Sequence, residues 1–305
     1  MSLWKAYTFV LILFLSTVDA RVIVSLPDFE TIVERITGED VDVLMPSSVD
    51  PHMFSISYQD IKKIENAQLV VLANSELISF EGEIKKICKK CIDFKDYNPT
   101  ILNFPGFGEN IHAYWLYPDN AIKIALKVKD VLSELNAEKA EIYNRNFENF
   151  VLSLEIAKRD SEKLVSGVKN LKFVAIDPHV AYAISALNLS VFSILFSEDI
   201  APNAFRIEEL RKIAGDCVLV IGDYQLETKL GEIAEKTAQE YNCRIAEISV
   251  FSNLSYEAQL LKNAISISNS RVIEKKGEEI NYFLAFIAVI EAMIVVILWS
   301  SRRRI

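Results

Sequence analysis

Histidine occurs only three times in this 305-residue chain, as His52, His112 and His179. Cysteine is nearly as scarce, with Cys88, Cys91, Cys217 and Cys243 making four. A zinc ribbon would need a second closely spaced cysteine pair beside Cys88 and Cys91, and the sequence has none. Basic charge is short as well. Lys and Arg number 33 against 42 Asp and Glu, a formal net charge of −9. That balance argues against a nucleic-acid partner, whose binders carry basic stripes. Two motifs are missing. Without G-x-x-x-x-G-K-[ST] the chain lacks the phosphate loop of a P-loop ATPase, and without H-E-x-x-H it has no compact helical metal motif. The nine glycines and eight prolines never gather into a low-complexity tract.

Long apolar runs, by contrast, are present at both ends. Hydrophobic residues make up 51% of the chain and the mean hydropathy is +0.20. The first twenty residues, "MSLWKAYTFVLILFLSTVDA", place one lysine before an apolar stretch and close on Val18-Asp19-Ala20. Small residues at −3 and −1 predict an exported protein, with cleavage of a signal peptide (1–20) after Ala20. Near the other end, residues 282–299 form an apolar run bracketed by Tyr282 and Trp299 and followed by Arg302, Arg303 and Arg304. A run of this length predicts a transmembrane helix, and the arginines predict a cytoplasmic tail at 300–305. Glu291 is the single charge within the run, where a carboxyl is protonated or faces a partner helix. The C-terminal segment carries +2 and the leader zero, so the body between them carries −11 and the whole chain −9. This suits a cation ligand, though charge speaks mainly to solubility.

Between these ends, strand-like and helix-like runs alternate. "RVIVSLP", "VDVLMP", "QLVVLAN" and "CIDF" read as strands in the first half, separated by "FETIVERITG", "SYQDIKKIENA" and "FEGEIKKICKK" as helices. "NLKFVAID", "LSVFSILF", "CVLVIGD" and "CRIAEIS" repeat the scheme in the second half. Such alternation predicts βαβ units on parallel sheets. A helical stripe at Tyr143, Phe147, Phe150, Leu154, Ala157 and Leu164 predicts one long helix, too long for an ordinary element, that joins two lobes. The expected organisation is an α/β protein: an N-terminal lobe (21–137), a linking backbone helix (138–166), a C-terminal lobe (167–270), a linker (271–281) and the transmembrane helix. If "CVLVIGD" and "CRIAEIS" are neighbouring parallel strands, Cys217 and Cys243 start side by side and a bridge follows. Cys88 and Cys91 are either a local bridge or two free thiols.

Each histidine follows a strand or lies in a loop of that kind. Ligands of parallel α/β sheets bind outside the carboxyl ends of the strands. His52, His112 and His179 are therefore expected to face one crevice between the lobes. Imidazole is the commonest metal ligand near neutral pH, and three of them suit zinc first and other first-row ions less securely.

Longer stretches carry a resemblance. "VDPHMFSISYQDIKKIENAQLVVLANSELI", "NIHAYWLYPDNAIKIALKVKDVLSEL", "AEKAEIYNRNFENFVLSLE" and "FVAIDPHVAYAISALNL" together resemble the zinc/manganese solute-binding proteins of ABC importers, from about Arg21 to about Ser270. The resemblance implies that His52, His112 and His179 are metal ligands. Histidine at the third position looks like the zinc-type members, with Mn(II) or Fe(II) as alternatives to Zn(II). It further implies a receptor on the extracytoplasmic face that delivers metal to a separate permease and ATPase. The chain departs from the family pattern where an aspartate often supplies a fourth ligand, since Ser249 stands at the expected place. Asp223, Glu247 or water are the candidates left. The His-rich acidic loop of many zinc carriers is also absent. A zinc hydrolase using the three histidines, with Glu109 or Asp223 as general base, is the alternative from another class. A surface metal buffer or adhesin on the same fold is the third.

Overall fold

The computed structural model describes residues 21–47, 49, 51–196 and 204–273. The leader and the run at 282–299 lie outside the described residues. Among those described, no helix is long and apolar enough to cross a membrane.

The first lobe is a parallel four-stranded sheet, β1 (Val22–Val24), β2 (Asp42–Val43), β3 (Leu69–Val71) and β4 (Cys91–Ile92), in the order β2-β1-β3-β4. Its helices are α1 (Pro27–Thr37), α2 (Tyr58–Asn66), α3 (Ser79–Ile87) and the short α4 (Phe94–Tyr97). Local signals set their ends. Pro27 opens α1, where its missing N–H costs nothing, and Gly38 closes it at φ 71°, a left-handed turn that suits glycine. Ser57 and Asp60 form a reciprocal capping box at the start of α2. β1 and β3 are wholly buried, as expected of central strands covered on both faces.

A two-stranded antiparallel hairpin follows, β5 (Leu102–Phe104) with β6 (Gly108–Asn110). Next come α5 (Pro118–Leu135) and the long α6 (Ala140–Leu164). The second lobe holds β7 (Lys172–Ala175), α7 (Pro178–Ala186), β8 (Val191–Ile194), α8 (Ala204–Lys212), β9 (Cys217–Gly222), α9 (Lys229–Tyr241), β10 (Arg244–Ile248), α10 (Tyr256–Ser268) and β11 (Arg271–Val272). Its sheet runs β11-β10-β9-β7-β8, parallel except for β11. The Cys217–Cys243 disulfide joins the start of β9 to the residue before β10, as the neighbouring parallel strands predict. Cys88 and Cys91 are bonded too, which decides between the two states left open for them.

The structure corrects several expectations. The expected helix at 138–166 is confined to Ala140–Leu164, and it is no bare strut. It packs against α1, α5 and α10 through a buried stripe of Tyr143, Phe150, Leu154, Ala157 and Ser161. Leu164, expected on that stripe, is 41% exposed, because the buried stripe passes from Ser161 to Val165, four residues on, and leaves Leu164 beside it. Residues 271–272, expected in a linker, add an antiparallel edge strand to the second sheet. The hairpin β5–β6 was not expected at all.

The two lobes are not separately cored. One continuous apolar core runs from Phe29 and Val71, through Trp115, Phe150 and Leu154, to Phe251, Tyr256 and Ile267. A second, smaller core including Ile176, Leu195, Leu219 and Tyr241 covers the other face of the second sheet. β9 shows the division directly: Val218 and Val220 face the shared core, while Cys217, Leu219 and Ile221 face the smaller one, the alternation a strand imposes.

Candidate metal centre

The three histidines come together. The ring centroids of His112 and His179 lie 5.2 Å apart, and those of His52 and His179 lie 6.4 Å apart. Each reaches this place by a different device.

His179 is fixed by the start of α7. Pro178 opens the helix, and Asp177 caps it, its Oδ1 accepting from the Val180 N–H at 3.2 Å. The other oxygen, Oδ2, accepts from the Tyr224 hydroxyl and the Gln225 side-chain amide, and stands 3.6 Å from His179 Nδ1. Burial alone would push the Asp177 carboxyl up. The His179 ring, together with hydrogen bonds from His179, Tyr224 and the Val180 amide, outweighs burial and holds it below the usual carboxylate range. Tyr224 and Phe251 wall the ring, with centroids at 6.2 and 5.7 Å.

His112 follows β6 and is buried. Asn110, two residues earlier and wholly buried, accepts at Oδ1 from the His112 backbone N–H at 2.9 Å and meets His112 Nδ1 at 3.1 Å. Ala113 then turns the chain at φ 50°, a left-handed conformation uncommon for a residue with a Cβ. That turn sends Tyr114 and Trp115 into the core, where the Tyr114 hydroxyl donates to the Ala73 carbonyl at 2.8 Å. Phe251, at the wall of the site, is likewise left-handed at φ 55°. Strain of this kind gathers where surrounding structure must hold a site in shape.

His52 is exposed, on the long connection between β2 and α2. Pro51 beside it is buried, and Phe54 anchors the connection on Phe80 with centroids 5.0 Å apart.

A tetrahedral ion bound by ring nitrogens at about 2.0–2.1 Å places two imidazole centroids about 5 Å apart. The His112–His179 pair meets that spacing as it stands, whereas the His52–His179 separation of 6.4 Å exceeds it, so His52 must move inward to join the pair. Consistent with this, among the described residues no three His, Cys, Asp or Glu side chains stand close enough to hold one ion unaided.

The other candidates are engaged by other partners. Glu247 pairs with Arg271 at 3.0 Å and is 41% exposed, on the side of β10 next to the edge strand. Asp223 is engaged at the end of β9: Oδ2 accepts from the Ser249 hydroxyl at 2.9 Å, and Oδ1 from the Val250 N–H at 3.2 Å. Glu109 is exposed on β6, and strand alternation turns it to the face opposite Asn110. His112 departs from the expected placement in one respect. It follows the antiparallel hairpin β5–β6, not the carboxyl end of a parallel strand. Sequence reasoning also passed over Asn110, Tyr224 and Phe251. For Asn110 a signal exists: Asp50, Asn110 and Asp177 each stand two residues before a histidine.

The chain is similar to other proteins in sequence and in fold. The zinc-binding protein AdcA of Streptococcus pyogenes is 25% identical over 250 residues, covering 72% of this chain and 48% of that protein. The chain thus spans about half the length of these streptococcal relatives. A Thermotoga maritima protein named for metal binding is 24% identical over 230 residues, covering 74% of this chain and 84% of its own length. Among solved structures, that of ZnuA superposes with a TM-score of 0.68 at 21% identity, over 82% of this chain and 98% of the other. FpvC of Pseudomonas aeruginosa in complex with Mn2+ follows at 0.67 and 18%, over 81% and 96%. At these identities the structural agreement speaks to the fold. The pattern of the family described as zinc-uptake complex component A, periplasmic (ZnuA), matches residues 22–266, and the chain belongs to that family.

Proposed function

We propose that this chain is the metal receptor of an ABC-type importer, binding one divalent transition metal through His52, His112 and His179. Zn(II) is the favoured ion, supported by a donor set made of imidazoles and by the names of the relatives. Mn(II) or Fe(II) are the alternatives. The single observation that carries the reading is the His112–His179 pair at a spacing that fits one tetrahedral ion. The metal is cargo: it is captured on the extracytoplasmic side and handed to a permease served by a separate cytoplasmic ATPase. The apolar run at 282–299 would tether the receptor to the membrane, with the short tail inside. Asp223, whose Oδ2 accepts one hydrogen bond, from Ser249, and Glu247, paired with Arg271, stay the candidates for a fourth ligand beside water.

The hydrolase reading has less support. Glu109 lies on the opposite strand face and Asp223 is held by three donors, so neither is poised as a general base.

Equilibrium titration of the full chain with Zn(II) and Mn(II), by competition with a chromophoric chelator, tests the proposal. One tight site per chain is expected, with His112→Ala and His179→Ala each weakening it strongly. Unchanged stoichiometry and affinity in both variants would falsify the shared site. An adjacent permease and ATPase in the genome would favour import over buffering or adhesion.

A further inference from the structure

Asn110 makes more bonds than orienting one ring requires. Its Oδ1 faces two His112 nitrogens, and its Nδ2 donates to the Pro178 carbonyl at 2.7 Å. These partners fix which end of the amide is which. The Pro178 carbonyl only accepts and the His112 backbone N–H only donates, so the amide admits one orientation. Its oxygen therefore faces His112 Nδ1, which must carry the proton. The lone pair of His112 is thereby left on Nε2, away from Asn110. The Asn110 backbone carbonyl is held in turn by the Tyr182 hydroxyl at 2.6 Å, and that hydroxyl accepts from the Leu102 N–H at 2.9 Å. Burial pushes the Tyr182 phenol up to about 12, so it remains a donor.

The partners of Asn110 belong to two ligand-bearing segments. His112 follows the hairpin, while Pro178 directly precedes His179 at the start of α7. We infer that Asn110 is a positioning residue that sets the His112 tautomer and tethers His112 to the His179 segment, so that two thirds of the site is assembled before metal arrives. The chain itself offers the contrast. Asp177 stands two residues before His179 as Asn110 stands before His112, but a carboxylate has no N–H to give. Only an amide at 110 supplies an acceptor to His112 and a donor to Pro178 together. Aspartate there would set carboxylate oxygen against carbonyl oxygen across the tether.

This inference rests on the proposed metal site, and the test separates the two. In metal-free wild type, 15N spectra of the imidazoles should show His112 as the Nδ1–H tautomer, shifting toward Nε2–H in Asn110→Ala. With zinc alone as probe, Asn110→Ala should keep one site but bind about 10–100-fold more weakly, the usual cost of losing such an outer partner. In a His112→Ala background the same change should add little, because Asn110 acts through His112. Should Asn110→Ala fold poorly, the near-isosteric Asn110→Asp serves: it should keep the Nδ1–H tautomer yet bind zinc several-fold more weakly. An Nε2–H tautomer in wild type, or zinc affinity within twofold of wild type in both variants while His112→Ala is impaired, overturns the role of Asn110 and leaves the metal site standing. Zinc binding that ignores His112→Ala overturns the metal site itself.

Discussion

Among the described residues two acidic side chains of the first lobe, Asp28 and Glu81, are buried completely, and neither forms an ion pair there. Glu81 binds the Ala73 and Asn74 N–H groups, and burial pushes it up to about 7. Asp28, at the start of α1, accepts from the Ser252 N–H at 3.3 Å and from Gln259 Nε2 at 3.0 Å, both contributed by the second lobe. Burial pushes it from 3.8 to about 6, against those hydrogen bonds and the Trp115 indole, with a small further push from Asp223. The sign of the effect follows. Between about pH 4 and pH 6 the native state holds a proton that the unfolded chain has lost, so stability falls as pH rises through that window. A shift of about 2 units corresponds to about 3 kcal/mol. Denaturant unfolding at pH 4 and pH 7 should show a smaller pH loss in Asp28→Asn than in wild type. Equal losses would mean that Asp28 is ionised in the native state at both.

At the scale of elements, α6 carries the clearest prediction. Phe150 is fully buried and meets Tyr256 of α10 edge to face, with centroids 6.3 Å apart, whereas Leu164 is 41% exposed. Phe150→Ala should cost about 3–5 kcal/mol in chemical unfolding, and Leu164→Ala well under 1 kcal/mol. Comparable losses at both positions would contradict the buried stripe. The Cys217–Cys243 bridge closes a sequence separation of 26 between buried strand starts. Cys217→Ala with Cys243→Ala should therefore lower stability by about 3–4 kcal/mol on the chain-entropy account. The same elements show what the sequence made legible. β9 and β10 announced themselves because long apolar strands have a readable pattern, and their parallel pairing followed from the helix between them. β5 and β6 did not, because three-residue strands contain barely one alternation. Their hairpin is set instead by backbone turns, with Gly106 at φ 70° and Gly108 at φ 96°. The histidines were legible because they are so few. Asn110 was marked only by its place two residues before a histidine, a spacing that does not show its amide bridging two distant segments.

At the scale of the molecule, the two sheets suggest two lobes that rock about a helix, but the packing argues for something stiffer. The apolar core is continuous across both, and polar ties reinforce it: Arg35 of α1 meets Glu257 of α10 at 3.1 Å, and the Tyr256 hydroxyl donates to the Trp115 carbonyl at 3.0 Å. Breaking the lobes apart would expose Trp115, Phe150 and Phe251 together, at about 25 cal/mol for each Å² of apolar surface. The His52 connection buries less, chiefly Pro51 and Phe54, and the His52 residue itself is already exposed. Capture by movement of that connection is therefore cheaper than capture by lobe rotation. It follows that the lobes should unfold as one unit. In calorimetry, metal-free protein should show a single transition. Zinc at a hundred times its dissociation constant should add about 2.7 kcal/mol and raise that same transition by about 5–10 °C. Two resolved transitions, only one of them moved by zinc, would show that the lobes hold separate cores and would return the long helix to the role of a simple strut.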